Sequence, residues 1–231
     1  MPATPATGTD PGLIHTLIDR VAIHFSEGVY GDEAAAARTE YFSAAGELME
    51  EDRELFEPRM AAFLEWYIVE RPLALAPGQT PVVRFAADPG NGLTAAEQEA
   101  LQRLAASRRS LFAIKAVTAG SVELRDLLGG DDVVASERRG TVGFSPDDLC
   151  EARVCPSEGG FIFTKTLLFH PRDAAKEIRS GVKAALQAGE ERDSIMAKLA
   201  RAHLRWSRQG HVSADRIYRE LWLRSPGAER E

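Results

Sequence analysis

The side chains in this chain that could do chemistry are few, and the two cysteines come first. Cys150 and Cys155 lie five positions apart. On one strand they would point to opposite faces, because side chains alternate along a strand, and a disulfide between them would be geometrically awkward. A zinc site would need a tighter pair or a histidine-rich partner segment, and His170 is the only candidate nearby. We therefore predict two buried free thiols and no metal site.

A run of carboxylates lies around the end of the second predicted helix, which starts near Asp32 and extends to Leu48. Such a run could in principle bind a metal ion. A helical dinuclear centre uses Glu-x-x-His pairs on facing helices, and the sequence contains no such pair. We interpret the run as a solvated acidic face. Its members are Glu47, Glu50, Glu51, Asp52, Glu54 and Glu57.

Motifs for phosphate binding and nucleophilic catalysis are absent. The segment Gly129-Gly-Asp-Asp132 lacks the Lys-Ser/Thr and the following helix of a phosphate loop, so it predicts a hairpin turn. There is no Gly-x-Ser-x-Gly elbow, and no cofactor motif, so we predict no cofactor. An active site assembled from distant residues stays open. It would need a deep pocket in which a titratable residue such as His170 or Asp126 meets a partner.

An aromatic cluster on the third predicted helix, about Asp52 to Glu70, could line a ligand pocket. Phe56, Phe63, Trp66 and Tyr67 are spaced by three, four and seven positions, which favours a simple core. Trp66 stands between Glu65 and Glu70. We therefore expect its ring at a boundary or a partner surface.

The charge of the chain is unevenly distributed. Residues 1–109 carry a net charge of −8, residues 110–170 carry −3 and residues 171–231 carry +4. The acidic and basic parts can attract each other, or the basic part can bind an anionic partner. The candidate interaction residues are Trp66, Arg201, Arg205, Trp206, Arg208, Arg216, Tyr218, Arg219 and Trp222, with Arg192, Lys198 and Arg224 as further basic residues of this part.

The elements that must position these residues change in type along the chain. Residues 1–9 predict a disordered tail, and residues 10–109 a helical region with a Pro- and Gly-rich loop around a short Val82–Phe85 element. Within it, Thr94-Ala-Ala-Glu97 is a capping box that starts a helix. Residues 172–224 predict a second helical region, and 225–231 a frayed tail.

Residues 110–171 instead show five short β-type runs separated by turn signals, which predict a small antiparallel β-barrel, SH3-like or OB-like, or an open meander. The fold class is therefore α+β, with N-terminal helices, a central small sheet and C-terminal helices. The strand candidates are residues 111–117, 121–127, 133–137, 149–154 and 161–169.

Several short phrases in a fixed order support this architecture. They are Phe63-Leu-Glu-Trp-Tyr67, Gly78-Gln-Thr-Pro81, Ser110-Leu-Phe112, residues 122–128 and residues 148–154. This order resembles uncharacterised bacterial proteins in which helices precede a small β-module, some of which end in a SEC-C zinc-binding tail. The present chain has no Cys-x-Cys or His-Cys cluster, so the resemblance implies no zinc tail and no known reaction.

Taken together, the sequence predicts a non-enzymatic cytoplasmic protein that acts by interaction or regulation. The expected partner is another protein or a second copy of the chain. The N-terminus lacks the basic start and apolar stretch of a secretory signal, and no apolar run approaches the ~20 residues of a membrane helix. One alternative is nucleic-acid binding through the C-terminal helices and the barrel face. The order helix, Gly210, helix loosely resembles a helix-turn-helix, but the pI near 5.4 argues against this role. The other alternative is a hydrolase or transferase with a dispersed site.

Overall fold

The computed structural model describes residues 11–137 and 143–223, and it confirms the α+β class. Within these residues, five α-helices precede a five-stranded sheet and three follow it. The predicted tails at residues 1–9 and 225–231, and Arg224, lie outside the described residues. The helices are α1 Pro11–His24, α2 Gly31–Ala45, α3 Arg53–Val69, α4 Pro81–Ala87, α5 Ala95–Ala105, α6 Ala175–Gln187, α7 Arg192–Arg208 and α8 Ala214–Leu223.

The five strands form a closed barrel, so the open-meander alternative is wrong. Around the barrel the order is β1, β2, β3, β5, β4, and β1 pairs with both β2 and β4. One pairing departs from the predicted antiparallel pattern, because β3 and β5 run parallel. This Greek-key order is typical of the OB-like alternative. The strands are β1 Arg108–Val117, β2 Ser121–Asp126, β3 Asp132–Ser136, β4 Leu149–Ser157 and β5 Gly160–Phe169.

The local sequence signals explain how the elements begin and turn. Thr94 Oγ1 accepts from the Glu97 amide and the Glu97 carboxylate accepts from the Thr94 amide, as the capping box predicts. The Gly129–Asp132 segment is the hairpin turn between β2 and β3. Its start is fixed by Asp126, whose Oδ1 accepts from the amides of Leu128 (2.9 Å) and Gly129 (2.8 Å). The Pro- and Gly-rich segment holds one short helix, α4, with Pro81 in its first turn.

Three hydrophobic clusters make up the core, and two of them join a helical region to the barrel. One fills the barrel itself. The N-terminal helices share a cluster with Cys155 and Ile162 of the barrel, and the C-terminal helices share one with Leu111, Ala113 and Leu149. The outer surface of the barrel is therefore covered by helices on two sides. Among the described residues, no helix has the length and apolar character needed to cross a membrane.

The prediction for the cysteines is confirmed. Both lie on β4 as buried free thiols, Cys150 within the barrel cluster and Cys155 within the N-terminal helical cluster, so they face opposite ways. Burial raises the pKa of each thiol to about 12. The thiolate is the reactive form of cysteine, so neither side chain is a nucleophile near neutral pH.

Candidate functional site

The candidate site is a cleft where both helical regions meet the barrel. It has a volume of about 530 Å³ and is lined by residues from α2, α3, β1 and α7. Cavities of this size, with apolar walls and a few polar groups, are typical of sites for small molecules. The lining residues are Glu40, Tyr41, Ala44, Ala45, Trp66, Arg109, Asp193, Ser194, Ala197, Lys198 and Arg201.

Two aromatic rings form one wall of this cleft. The ring centroids of Tyr41 on α2 and Trp66 on α3 lie 5.3 Å apart at an interplanar angle of 46°. Trp66 is half-buried, whereas Phe63 and Tyr67 on the same helix are core residues. The expectation of a boundary position for Trp66 is thus met by its place in the cleft. Phe56, by contrast, is 50 % exposed and does not belong to the core.

Arg109 on β1 lies at the base of the cleft. Arg109 is only 8 % exposed, and its Nε donates to Glu151 Oε1 at 2.9 Å. The centre of its guanidinium is 5.7 Å from the centroid of the Tyr41 ring, which is a cation–π contact. Within the described residues, no hydrogen bond engages its two terminal nitrogens or the Tyr41 hydroxyl, and these atoms are accessible to water in the cleft. These groups are donors that the protein itself leaves unused.

The charges around Arg109 keep it ionised. Burial lowers its pKa, but attraction from Tyr41 once its phenol ionises at high pH, and from Glu151 and Glu70, outweighs burial and raises the pKa above the ordinary value. Burial likewise raises the pKa of Tyr41, so its hydroxyl keeps its proton. At the mouth of the cleft, partial burial and repulsion from Glu70 raise the pKa of Asp193. A second cavity of about 310 Å³ shares Arg109 and Asp193 with the first.

Buried and half-buried arginines hold the helices that form the walls. Arg59 on α3 donates to the carbonyls of Ala45 (2.7 Å) and Gly46 (2.8 Å) at the end of α2, and to Ala200 on α7 (3.0 Å). Arg201 on α7 donates to the carbonyls of Ser43 (3.1 Å) and Ala44 (2.7 Å). Cations at the C-terminus of a helix also complement its dipole. The position of α7 against α2 is therefore set by these bonds.

Most of the basic candidate residues are engaged within the chain. Arg208 pairs with Asp52, Arg205 and Arg216 both pair with Glu220, and Arg219 pairs with Asp215. Of these pairs, Arg208–Asp52 joins the acidic N-terminal part to the basic C-terminal part, and the others lie within the C-terminal helices. The interpretation of the acidic run as a solvated face is wrong for Asp52, which is buried. The other members of the run are exposed, namely Glu47, Glu50, Glu51, Glu54 and Glu57.

The aromatic candidates of the C-terminal region pack against neighbouring residues of the chain, and Trp206 and Trp222 stay half-buried. Tyr218 is buried, and its hydroxyl lies 2.8 Å from His170 Nδ1. The Trp206 ring contacts His203, with centroids 5.5 Å apart. Trp222 lies against Gly181 on α6. None of these three rings lines the cleft.

The two residues considered for a dispersed active site also lie away from the cleft. His170 is buried. Its burial is the main cause, and repulsion from the neighbouring His203 the lesser cause, of a pKa lowered to about 3. Asp126 is buried in the β2–β3 turn, where it also accepts from Ser110 Oγ. No group of three or more metal-binding side chains is present in the part of the chain that the structure describes.

Sequence reasoning missed Arg109 and the buried charges near it. On β4, Glu151 and Arg153 alternate with apolar residues, a pattern that normally indicates a solvated face. Both are buried here, because helices cover that side of the barrel. Glu65 on α3 is buried with them and lies 3.4 Å from Arg153. The one available signal was the match of opposite charges on helix and strand.

Comparison with known proteins gives one match. A family model described as "Family of unknown function (DUF7986)" matches residues 35–209, well over half of the chain. The matched range contains every residue that lines the cleft. No curated protein and no solved structure matches the chain. The chain therefore belongs to the DUF7986 family.

Proposed function

We propose that this member of the DUF7986 family is a non-enzymatic cytoplasmic regulatory protein that recognises a small ligand in the cleft between α2, α3, β1 and α7. The observation that carries this proposal is Arg109, a buried cation with unused donors at the base of an aromatic-walled cavity. Glu151 offsets the charge of Arg109 through Nε, and the terminal nitrogens, which no bond within the described residues engages, are available to an anionic group that enters the cleft.

The side chains around the cleft support recognition over bond-making. Two hydroxyl–carboxylate neighbours line the cleft, Tyr41 beside Glu40 on α2 and Ser194 beside Asp193 on α7. Neighbouring positions on a helix do not face each other, so neither pair makes a good nucleophile and base.

The Ser194 hydroxyl donates instead to Glu190 Oε1 at 2.6 Å. Burial raises the pKa of Glu190, but hydrogen bonds from Lys198 and Ser194 outweigh burial and lower it, which makes Glu190 a weak base. The histidines His170 and His203 and both cysteines lie elsewhere.

The outer face of β2 and β3 gives nucleic-acid binding little support. An OB-like barrel binds single strands there through aromatic stacking and a positive groove. In this barrel the face carries a balanced set of charges, since Lys115 and Arg125 both pair with Asp132, at 2.8 Å and 3.2 Å. Val134 is exposed between them, and neither strand carries an aromatic residue.

A thermal-shift screen of metabolites, followed by mass spectrometry of each hit, tests the proposal. Ala197→Trp fills the cleft from α7, and Ala36→Trp, at an exposed position of α2 outside the cleft, is the matched control. We expect at least one compound to raise the Tm of the native protein and of Ala36→Trp, but not of Ala197→Trp, and to be recovered unchanged. Conversion of a hit into product that Ala197→Trp abolishes would contradict the non-enzymatic role. Equal shifts in both variants would show that the cleft is not the binding site.

A further inference from the structure

We propose that the ligand of the cleft is an organic monocarboxylate with an aromatic or branched apolar body, held through its carboxylate by Arg109. This inference rests on the proposed function and names its ligand class. The terminal nitrogens of a guanidinium form a planar fork that matches the two oxygens of a carboxylate. Because Glu151 occupies only Nε, that fork is available in the cleft. Tyr41, whose ring centroid is 5.7 Å from the guanidinium centre, lines the same cleft and brings a hydroxyl as a second kind of donor.

The start of α7 provides an independent preference for negative charge. Asp193 and Ser194 belong to the first turn of this 17-residue helix and line the cleft. The preceding residue, Glu191, makes no capping hydrogen bond with its side chain. The first amides of a helix lack partners within the helix, and its dipole favours an anion there. The helix end and Arg109 thus converge on one cavity.

The acids around the cleft limit how much negative charge fits. Glu40 and Asp193 line it, and Glu70 lies close enough to raise the pKa of Asp193. Among the cations that line the cleft, Lys198 is neutralised by Glu190 at 2.7 Å and Arg201 binds carbonyls of α2, whereas Arg109 offers a planar guanidinium of which only Nε is engaged within the described residues. A single carboxylate suits this balance, whereas a phosphate dianion would be repelled by the surrounding acids.

The remaining walls fit an apolar body. Tyr41 and Trp66 supply ring faces, and Ala44, Ala45 and Ala197 supply small side chains that leave the space open. Burial of an aromatic or branched group against these surfaces would add the apolar contribution to affinity. A bare anion would leave this space unfilled.

Isothermal titration calorimetry of the full chain tests the ligand class. The probes are a panel of monocarboxylates headed by phenylacetate, each paired with its neutral amide, together with inorganic phosphate. We expect at least one acid to bind at least about tenfold more tightly than its amide and than phosphate. Arg109→Lys keeps the charge beside Glu151 but loses the fork, and we expect about a tenfold or greater loss of affinity for the acid. Arg216→Lys, at an exposed position of α8, is the matched control.

Further variants keep the test decisive if Arg109→Lys does not fold. Tyr41→Phe removes only the hydroxyl and should weaken the acid more than the amide, and Ala197→Trp should abolish binding of both. Equal affinity for acid and amide, with binding still lost in Ala197→Trp, would overturn this inference and leave the proposed function standing. Failure of every acid in the panel to bind at millimolar concentration would also overturn it. Ligand hits in the metabolite screen would then show that the cleft accepts another class.

Discussion

Arg208 on α7 and Asp52 beside the start of α3 form a two-pronged ion pair. Arg208 Nε lies 3.0 Å from Asp52 Oδ1, and the Arg208 Nη2 lies 2.5 Å from Asp52 Oδ2. The Asp52 carboxylate also accepts from the Met49 amide at 2.7 Å. This geometry joins the last long helix to the loop between α2 and α3, which is the end of the molecule that bears the acidic run.

The first prediction concerns the pH dependence of this pair. The hydrogen bond from Arg208 lowers the pKa of Asp52, with burial opposing it and the Met49 amide adding to it. The stabilisation is therefore present above the unfolded pKa of about 3.9 and is lost as pH falls through the lower folded value. We expect Asp52→Asn to reduce the free energy of unfolding by about 1–2 kcal/mol at pH 7, after allowance for the partly exposed Arg208.

Urea denaturation across pH measures this effect. The difference between native protein and Asp52→Asn should shrink as the medium becomes strongly acidic. The control is Glu51→Gln, which neutralises an exposed neighbouring acid and should change stability little. A difference that stays constant down to the lowest pH would show that the ion pair does not cause it.

The second prediction concerns Glu65, which fastens α3 to the barrel. Its Oε1 accepts from the amides of Lys165 (2.8 Å) and Thr166 (3.2 Å), and its Oε2 accepts from Thr164 Oγ1 (2.8 Å). Glu65→Gln removes the fully buried counter-charge of Arg153, which keeps its ion pair with the partly exposed Glu70, so we expect a loss of about 2–3 kcal/mol.

Chemical denaturation and amide hydrogen exchange test the role of Glu65. Exchange should accelerate at Lys165 and Thr166 before it does so in the barrel interior. Glu57→Gln, on the exposed side of the same helix, should be nearly neutral. Similar losses in the two variants would mean that the effect comes from the helix and not from these bonds.

The third prediction concerns the contact between α6 and α8. A Cβ atom on Gly181 would lie 2.2 Å from the indole ring of Trp222, so Gly181→Ala forces that ring to move. We expect a loss of about 1–3 kcal/mol and a red shift in tryptophan fluorescence as the ring gains contact with water. Gly210→Ala has open space around the new atom and should leave both quantities unchanged. An unshifted spectrum in Gly181→Ala would show that Trp222 does not rest on this glycine.

The fourth prediction uses His170 as a titratable group outside the cleft. Burial, and then repulsion from His203, lowers its pKa from 6.5 to about 3, so the folded state keeps it neutral while the unfolded state takes up a proton. The contribution of neutral His170 to the free energy of unfolding is therefore fully present above pH 6.5. It falls as pH decreases toward 3, with a slope of up to about 1.4 kcal/mol per pH unit.

His170→Gln should reduce this slope by up to about 1.4 kcal/mol per pH unit without removing it, because burial also lowers the pKa of His203 to about 4 and His203 still titrates. Glutamine does not titrate yet can still bond with the Tyr218 hydroxyl. His211→Gln, at an exposed histidine, should leave the slope as it is. If the profile of His170→Gln equals that of the native protein, the acid sensitivity arises elsewhere.

The sequence was a good guide to elements whose signals are local. Apolar spacing, the Thr94–Glu97 box and the turn at Gly129 correctly predicted the helices, the strands and the β2–β3 hairpin, since each depends on neighbours in the chain. The closure of the barrel through the parallel contact of Ala135 with Phe161 was not predicted in that form, because it joins residues far apart in sequence.

The cleft could be predicted only in part for the same reason. Trp66 stood out because acids flank an aromatic residue, and Arg201 because it lies in the basic region. Arg109 carried no such signal. It is the second residue of β1, just before the apolar part of the strand, where an arginine is usually solvated. Its burial results from α2 and α7, which arrive from opposite ends of the chain.

The two shared hydrophobic clusters have a consequence for dissection of this protein. A fragment ending at either rim of the barrel would uncover Cys155 and Ile162, or Leu111 and Leu149, which the intact chain shields from solvent. Such fragments should aggregate, because newly bared strand surface invites intermolecular association. The helices and the barrel are therefore best expressed and purified together.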